Sequence, residues 1–154
     1  MALNKIYKGN DEKNRDIPLA EIFAPSAPAS IQPGTPVAIG TALATSRPAV
    51  SITASGNGTI TQTTGLPSDV TSVTYKNGGV GNSASPASAT FAFDGSYEFP
   101  VVGALTSTGN GVPVYITTAG GLTLTVGSNL LYGWTDYPKG FTKTAARAVV
   151  KVGW

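Results

Sequence analysis

Residues 88–101, SATFAFDGSYEFPV, constrain the fold more than any other part of this chain. Phe91, Phe93, Tyr97 and Phe99 all occupy odd positions, with Gly95 between the two pairs. Side chains of a strand point alternately to opposite faces, so one extended strand would place all four rings on one buried side. Ala92, Asp94, Ser96 and Glu98 would then lie on the other. Asp94-Gly95 is also a two-residue hairpin signal. That hairpin would pair Phe93 with Ser96 and Phe91 with Glu98, splitting the rings. The parity therefore predicts a continuous central strand, kinked or bulged at Gly95 and ended by Pro100.

Composition sets the class around that strand. With 154 residues the chain is one domain, or one domain with an arm and an insertion. It is 41% hydrophobic, enough for a core, yet only 12% charged, about half the usual share. A surface covered by hydroxyls instead of charges fits a β-rich protein that works within a larger assembly. The net charge of +2 is weak grounds for nucleic-acid binding. The chain holds no Cys and no His. Thiolate and imidazole metal sites, disulfides, cysteine nucleophiles and histidine general bases are therefore excluded. The opening MALNKIYKGND lacks the apolar core of a signal peptide, and no run reaches the length of a membrane span. A protein made in the cytoplasm, without a membrane partner, is expected.

Charge is unevenly spread. Residues 1–24 hold eight of the eighteen charged side chains: Lys5, Lys8, Asp11, Glu12, Lys13, Arg15, Asp16 and Glu21. This segment is expected to be an extended arm outside the core, either frayed or held by a partner. Residues 25–36, with prolines at 25, 28, 33 and 36, read as a linker. The β domain proper is expected over 37–154. It begins with Val37-Ala38-Ile39-Gly40 and a second short strand at 49–53. Residues 54–87, rich in Thr, Ser, Asn and Gly, read as a polar surface insertion, a hairpin with strands near 59–63 and 70–75. Further strands are expected at 112–117, at 122–126 (Leu122, Leu124 and Val126 inward), and at 130–137 (Leu130, Tyr132 and Trp134 on one face). A last strand puts Ala146, Ala148, Val150, Val152 and Trp154 on one side and Arg147, Val149 and Lys151 on the other. No segment keeps a 3.6-residue apolar period. The fold class is all-β, a compact barrel or sandwich with an N-terminal arm and a polar β insertion.

Eight carboxylates are the acid–base candidates. On a regular strand Asp94 and Glu98 stand roughly 13 Å apart, too far for a glycosidase pair unless the Gly95 kink folds them together. Asp11-Glu12 and Asp16 lack calcium-loop spacing, and the Gly-rich pieces lack the lysine and helix of a phosphate loop. The reading is a structural or binding protein, not an enzyme, with no cofactor, no metal and no nucleic-acid partner.

Taken in order, several short pieces resemble the bacteriophage capsid decoration (cement) proteins, a family of small β-rich head-stabilising proteins. They are Asn4-Lys5-Ile6-Tyr7-Lys8-Gly9, Gly34-Thr35-Pro36-Val37-Ala38-Ile39-Gly40 and Phe93-Asp94-Gly95-Ser96-Tyr97-Glu98-Phe99-Pro100. Gly111-Val112-Pro113-Val114-Tyr115, Leu122-Thr123, Leu131-Tyr132-Gly133 and the closing strand at 146–152 follow. The charged arm at 10–24 and the insertion at 54–87 depart from the family pattern. The resemblance implies a virion protein on the outer capsid surface that clamps neighbouring major capsid protein subunits, commonly as a homotrimer at three-fold positions. On that reading Lys5, Lys8, Lys13 and Arg15 would meet acidic capsid residues. Ile6, Tyr7, Ile17 and Leu19 would add apolar contacts with the capsid or a neighbouring subunit. The alternative is a head-fibre or tail adhesin that binds glycans through the polar insertion.

Overall fold

The computed structural model describes residues 5–7, 14–26, 28, 31–52, 59–62, 68–76 and 88–153; for β1, β6, β7 and residues 14–16 this covers the backbone alone. Among the described residues thirteen strands follow one another: β1 Lys5–Tyr7, β2 Asn14–Pro18, β3 Ile22–Ala24, β4 Pro36–Ile39, β5 Arg47–Ser51, β6 Thr59–Gln62 and β7 Val73–Lys76. After them come β8 Ser88–Ala92, β9 Ser96–Val102, β10 Pro113–Ile116, β11 Leu122–Thr123, β12 Leu130–Thr135 and β13 Arg147–Val152. Single 3-10 turns at Leu19–Glu21 and Leu43–Thr45 are the helical pieces among the described residues. The protein is all-β.

Five strands close a barrel in the order β9-β11-β10-β12-β13, with β13 pairing back onto β9. All its ladders are antiparallel except β11 with β9. Closure removes the open edges of this sheet. β1 lies against the start of β9, where Lys5 is opposite Tyr97. The second sheet is curled and antiparallel, in the order β2-β8-β5-β4-β3. β6 and β7 form a two-stranded sheet of their own, the hairpin expected within the polar insertion.

The second sheet buries both faces, which explains its near-continuous apolar strands. Ala24, Ala38, Val50 and Ala92 belong to the barrel's core cluster. Ile22, Val37, Ala49, Ala89 and Phe91 form a second cluster with Ile17, Leu19, Ile31 and Phe93. Small side chains on the barrel-facing side let the two layers approach closely. Larger ones fill the space under the curl.

The stretch around Gly95 is not one strand. Residues 93–95 form a bend, so that β8 ends in the second sheet and β9 begins in the barrel. All four rings are buried, but Phe91 and Phe93 serve one cluster while Tyr97 and Phe99 serve the other. Neither a single-faced strand nor a hairpin describes it; the chain changes sheets. The corner is tightly built. Gly95 has φ +111, and a Cβ there would stand 2.9 Å from the Tyr97 ring, so glycine is required. Its N–H donates to Asp94 Oδ1 at 2.7 Å, and Val152 N–H donates to Gly95 O at 2.9 Å.

Two more expectations are corrected. Ile17 and Leu19, 4% and 6% exposed, together with Ile22 and Ala24, are core residues, because β2 pairs with β8 and β3 with β4. Residues 14–24 therefore complete the second sheet and are not a detached arm. The 25–36 stretch is also tied down at its end: Ser51 Oγ donates to Gln32 O, and Gly34 N–H donates to Ser51 O at 2.8 Å.

In β12 the pairing with β10 passes from Gly133 directly to Leu131, leaving Tyr132 in a bulge. Tyr132 points fully inward, and the bulge leaves Trp134 40% exposed, so Leu130, Tyr132 and Trp134 do not share a face. A Cβ on Gly133 would collide with Lys151 O, so the β12–β13 approach needs glycine there. On β13, Val149 is buried as completely as Val150, whereas Val126 is 57% exposed. Trp154 lies outside the described residues.

Ile22→Ala should cost about 2–5 kcal/mol in a urea melt, the range for a large core truncation. Deleting residues 2–23 should abolish cooperative unfolding, because it removes β2 and most of β3. A cooperative melt at wild-type midpoint would refute this packing. Burial raises the Tyr132 pKa well above 10.0, and Tyr97 and Tyr137 are also raised chiefly by burial. Above pH 10 the unfolded chain then loses protons that the folded one keeps. The contribution of these tyrosines should be constant below that pH and fall as pH rises beyond it, with a shallower fall in Tyr132→Phe.

Candidate functional site: exposed apolar side chains around the ends of β9 and β11

No charged residue occurs between Glu98 and Asp136. That run includes β10, β11, β12 and most of β9. It also contains the four large hydrophobic side chains exposed among the described residues: Val102 at 72%, Leu105 at 58%, Val126 at 57% and Trp134. Three of these lie at the end of β9 or in the turns that follow β9 and β11. β11 pairs with the end of β9 so that Thr123 stands opposite Val102, and Leu124 N–H donates to Val102 O at 3.1 Å. Val126 follows two residues on, and Leu105 three residues after Val102.

Both turns that carry them are pinned. Leu105 N–H donates to Thr108 Oγ1 at 2.9 Å, and Thr108 N–H returns a bond to Leu105 O at 3.0 Å. Lys143 Nζ donates to Thr108 O at 2.6 Å and lies 4.4 Å over the Tyr137 ring. Asn129 N–H donates to Val126 O at 2.8 Å, and Asn129 Nδ2 to Thr125 O at 3.0 Å. Asn110 clamps the backbone of Tyr137 through both halves of its amide. The apolar side chains are thus presented by backbone already fixed, so covering them costs little ordering entropy.

Trp134 occupies a different outer face. Its register partners are Pro113 and Lys151. Lys151 Nζ donates to Asp94 Oδ1 at 2.6 Å, and Arg147 Nε to Glu98 Oε1 at 2.6 Å. Each of the two carboxylates weighed as an acid pair therefore holds its own cation from β13. Among the described residues no three His, Cys, Asp or Glu side chains gather to hold a metal ion.

The arm residues divide. Lys5, Ile6 and Tyr7 form β1 on the barrel and Arg15 lies in β2, all described by backbone alone. Lys8 and Lys13 lie outside the described residues. Ile17 and Leu19 are buried in the core of the chain itself. The platform of Val102, Leu105 and Val126 escaped the sequence reading, although the charge-free run that carries it was visible. The fold thus defines a small closed β-barrel fused to a curled sheet. Comparison with protein-family models, with curated proteins and with solved structures finds no match.

Glu98→Gln should cost no more than about 1 kcal/mol, since the pair with Arg147 is partly open to solvent. A loss several times larger in a urea melt would mean that the outer acids carry a structural load.

Proposed function

We propose that this protein binds the outside of a phage head and holds neighbouring major capsid protein subunits together. The observation that carries the reading is the exposure of Val102, Leu105 and Val126 within a run of sequence without charge. Lys143 reaches the Leu105–Thr108 turn from outside that run, and the core of a stable protein interface is likewise depleted in charge. The ordered short motifs that resemble the decoration family support it independently. The mechanism is mechanical. Packaged DNA pushes the shell outward, and a stiff barrel seated across a junction resists separation of the subunits. Repetition over the lattice makes modest single contacts effective together. A homotrimer at three-fold positions is the arrangement we infer from that resemblance.

A second reading, glycan binding by a head-fibre or tail adhesin, is favoured by one feature: β6 and β7 pair only with each other among the described strands. Removing residues 54–87 separates the two. The adhesin reading expects loss of cell or glycan binding with head binding intact.

The combined substitution Val102→Asp, Leu105→Asp and Val126→Asp should leave the urea midpoint nearly unchanged, because all three side chains are exposed. Wild-type protein should bind decoration-free heads at a copy number matched to the lattice and raise the temperature of DNA release. The triple variant should do neither. Equal binding by wild type and variant, or no binding by wild type, would overturn the proposal.

A further inference from the structure

The outer face of β10 and β12 carries a short aromatic strip. Burial alternates along β10: Val114 and Ile116 are fully buried, while Pro113 and Tyr115 are partly exposed. Trp134 stands opposite Pro113, and Leu131 opposite Tyr115. Opposed residues of an antiparallel pair share a face, so these four side chains line one surface. Trp134 and Tyr115 mark its two ends, roughly 7 Å apart along the strands. One margin is polar. Lys151 is opposite Trp134 on β13, and its Nζ donates to Asp94 Oδ1 at 2.6 Å. The Lys151 and Asp94 side chains are 37% and 36% exposed.

Size and charge restrict what can lie there. Trp134 shows 40% of its surface and the other three show less, so the strip offers at most about 300 Å². A stable protein interface takes about 800 Å² from each partner, so the occupant is small. The charges beside the strip cancel, since Lys151 is paired with Asp94 and Arg147 with Glu98. A neutral ligand suits such a margin better than an anion or a cation. The rings call for a flat apolar surface, while the ammonium and the carboxylate can each bond beyond one another. A pyranose supplies both, with C–H groups on its faces and hydroxyls around its rim. We propose that the strip binds a neutral linear glycan of β-linked pyranoses whose substituents are all equatorial. One sugar stacks on Trp134, with its hydroxyls bonded to Lys151 and Asp94, and a neighbouring sugar rests on Tyr115 and Leu131. The site shares no residue with the Val102, Leu105 and Val126 surface or with the insertion at 54–87, so it stands apart from both readings above.

The test titrates the full chain with cellohexaose by calorimetry. Sorbitol, which has the hydroxyls without a ring face, is the control. Cellohexaose should bind saturably with a dissociation constant of about 1 mM or less, and sorbitol should not bind. The chain holds two tryptophans, so Trp154→Phe leaves Trp134 as a reporter whose fluorescence should shift as the sugar binds. Trp134→Ala should weaken binding about tenfold, and Lys151→Met about fivefold. Both variants should keep nearly the wild-type urea midpoint, because both side chains are open to solvent. Absence of cellohexaose binding, equal heats with sorbitol, or full affinity in Trp134→Ala would overturn the proposal. So would self-association of the chain that Trp134→Ala abolishes, with no sugar bound, which would make a second copy the occupant.

Discussion

The Tyr132 hydroxyl donates to the Ala49 carbonyl at 2.6 Å, across the boundary between barrel and second sheet. The arrangement of the other parts depends on that bond. Tyr132 is fully buried, so its hydroxyl must find a partner within the protein. Its ring meets Phe99 edge-on, with centroids 5.8 Å apart, which fixes the ring within the barrel. Leu130 packs against the same core, so alternation already turns Tyr132 inward, and the bulge that follows turns Trp134 out. Gly133 allows β13 to close in beside Tyr132.

The corner at 93–95 is the covalent counterpart of that contact. Asp94 Oδ1 accepts from both Gly95 N–H and Lys151 Nζ, while Asp94 O accepts from the Tyr97 hydroxyl at 3.1 Å. One residue thus fastens the crossing strand to β13 and to the ring beneath it. The chain leaves the second sheet at Ala92 and enters the barrel at Ser96 with no slack for the layers to separate. The charges of β13, Arg147 and Lys151, are each held by a carboxylate on or beside β9.

Much of this was legible in the residues. Odd parity at Phe91, Phe93, Tyr97 and Phe99 marked four buried rings, but the other parity is not the solvent face, since Ala92 and Ser96 are buried as well. The change of sheets was not legible. Asp94-Gly95 marks a break, but whether the chain kinks, reverses or crosses depends on contacts such as Lys151, 57 residues away. The N-terminal segment misled for a related reason. Ile17, Leu19 and Ile22 are too few to make a core, yet enough to complete one whose remainder lies at Val37, Ala49 and Phe91. Trp134 and Tyr132 share parity in sequence, and the bulge that separates them follows from pairing with β10. The exposed platform was hidden because Val102, Leu105 and Val126 look like core residues until the turns that hold them are seen.

These features describe a double layer with exposed apolar side chains at the end of β9 and in the turns after β9 and β11. Stiffness matters to the proposed role, since a clamp that yields internally transmits no restraint between the subunits it joins. The central claim is therefore that barrel and second sheet form one cooperative unit. Native-state hydrogen exchange tests it most directly. The account predicts that amides in β4, β5 and β8 open with the same free energy as those in β9, β12 and β13, and with the same denaturant dependence. A second sheet that opens at much lower free energy while the barrel stays protected would contradict it.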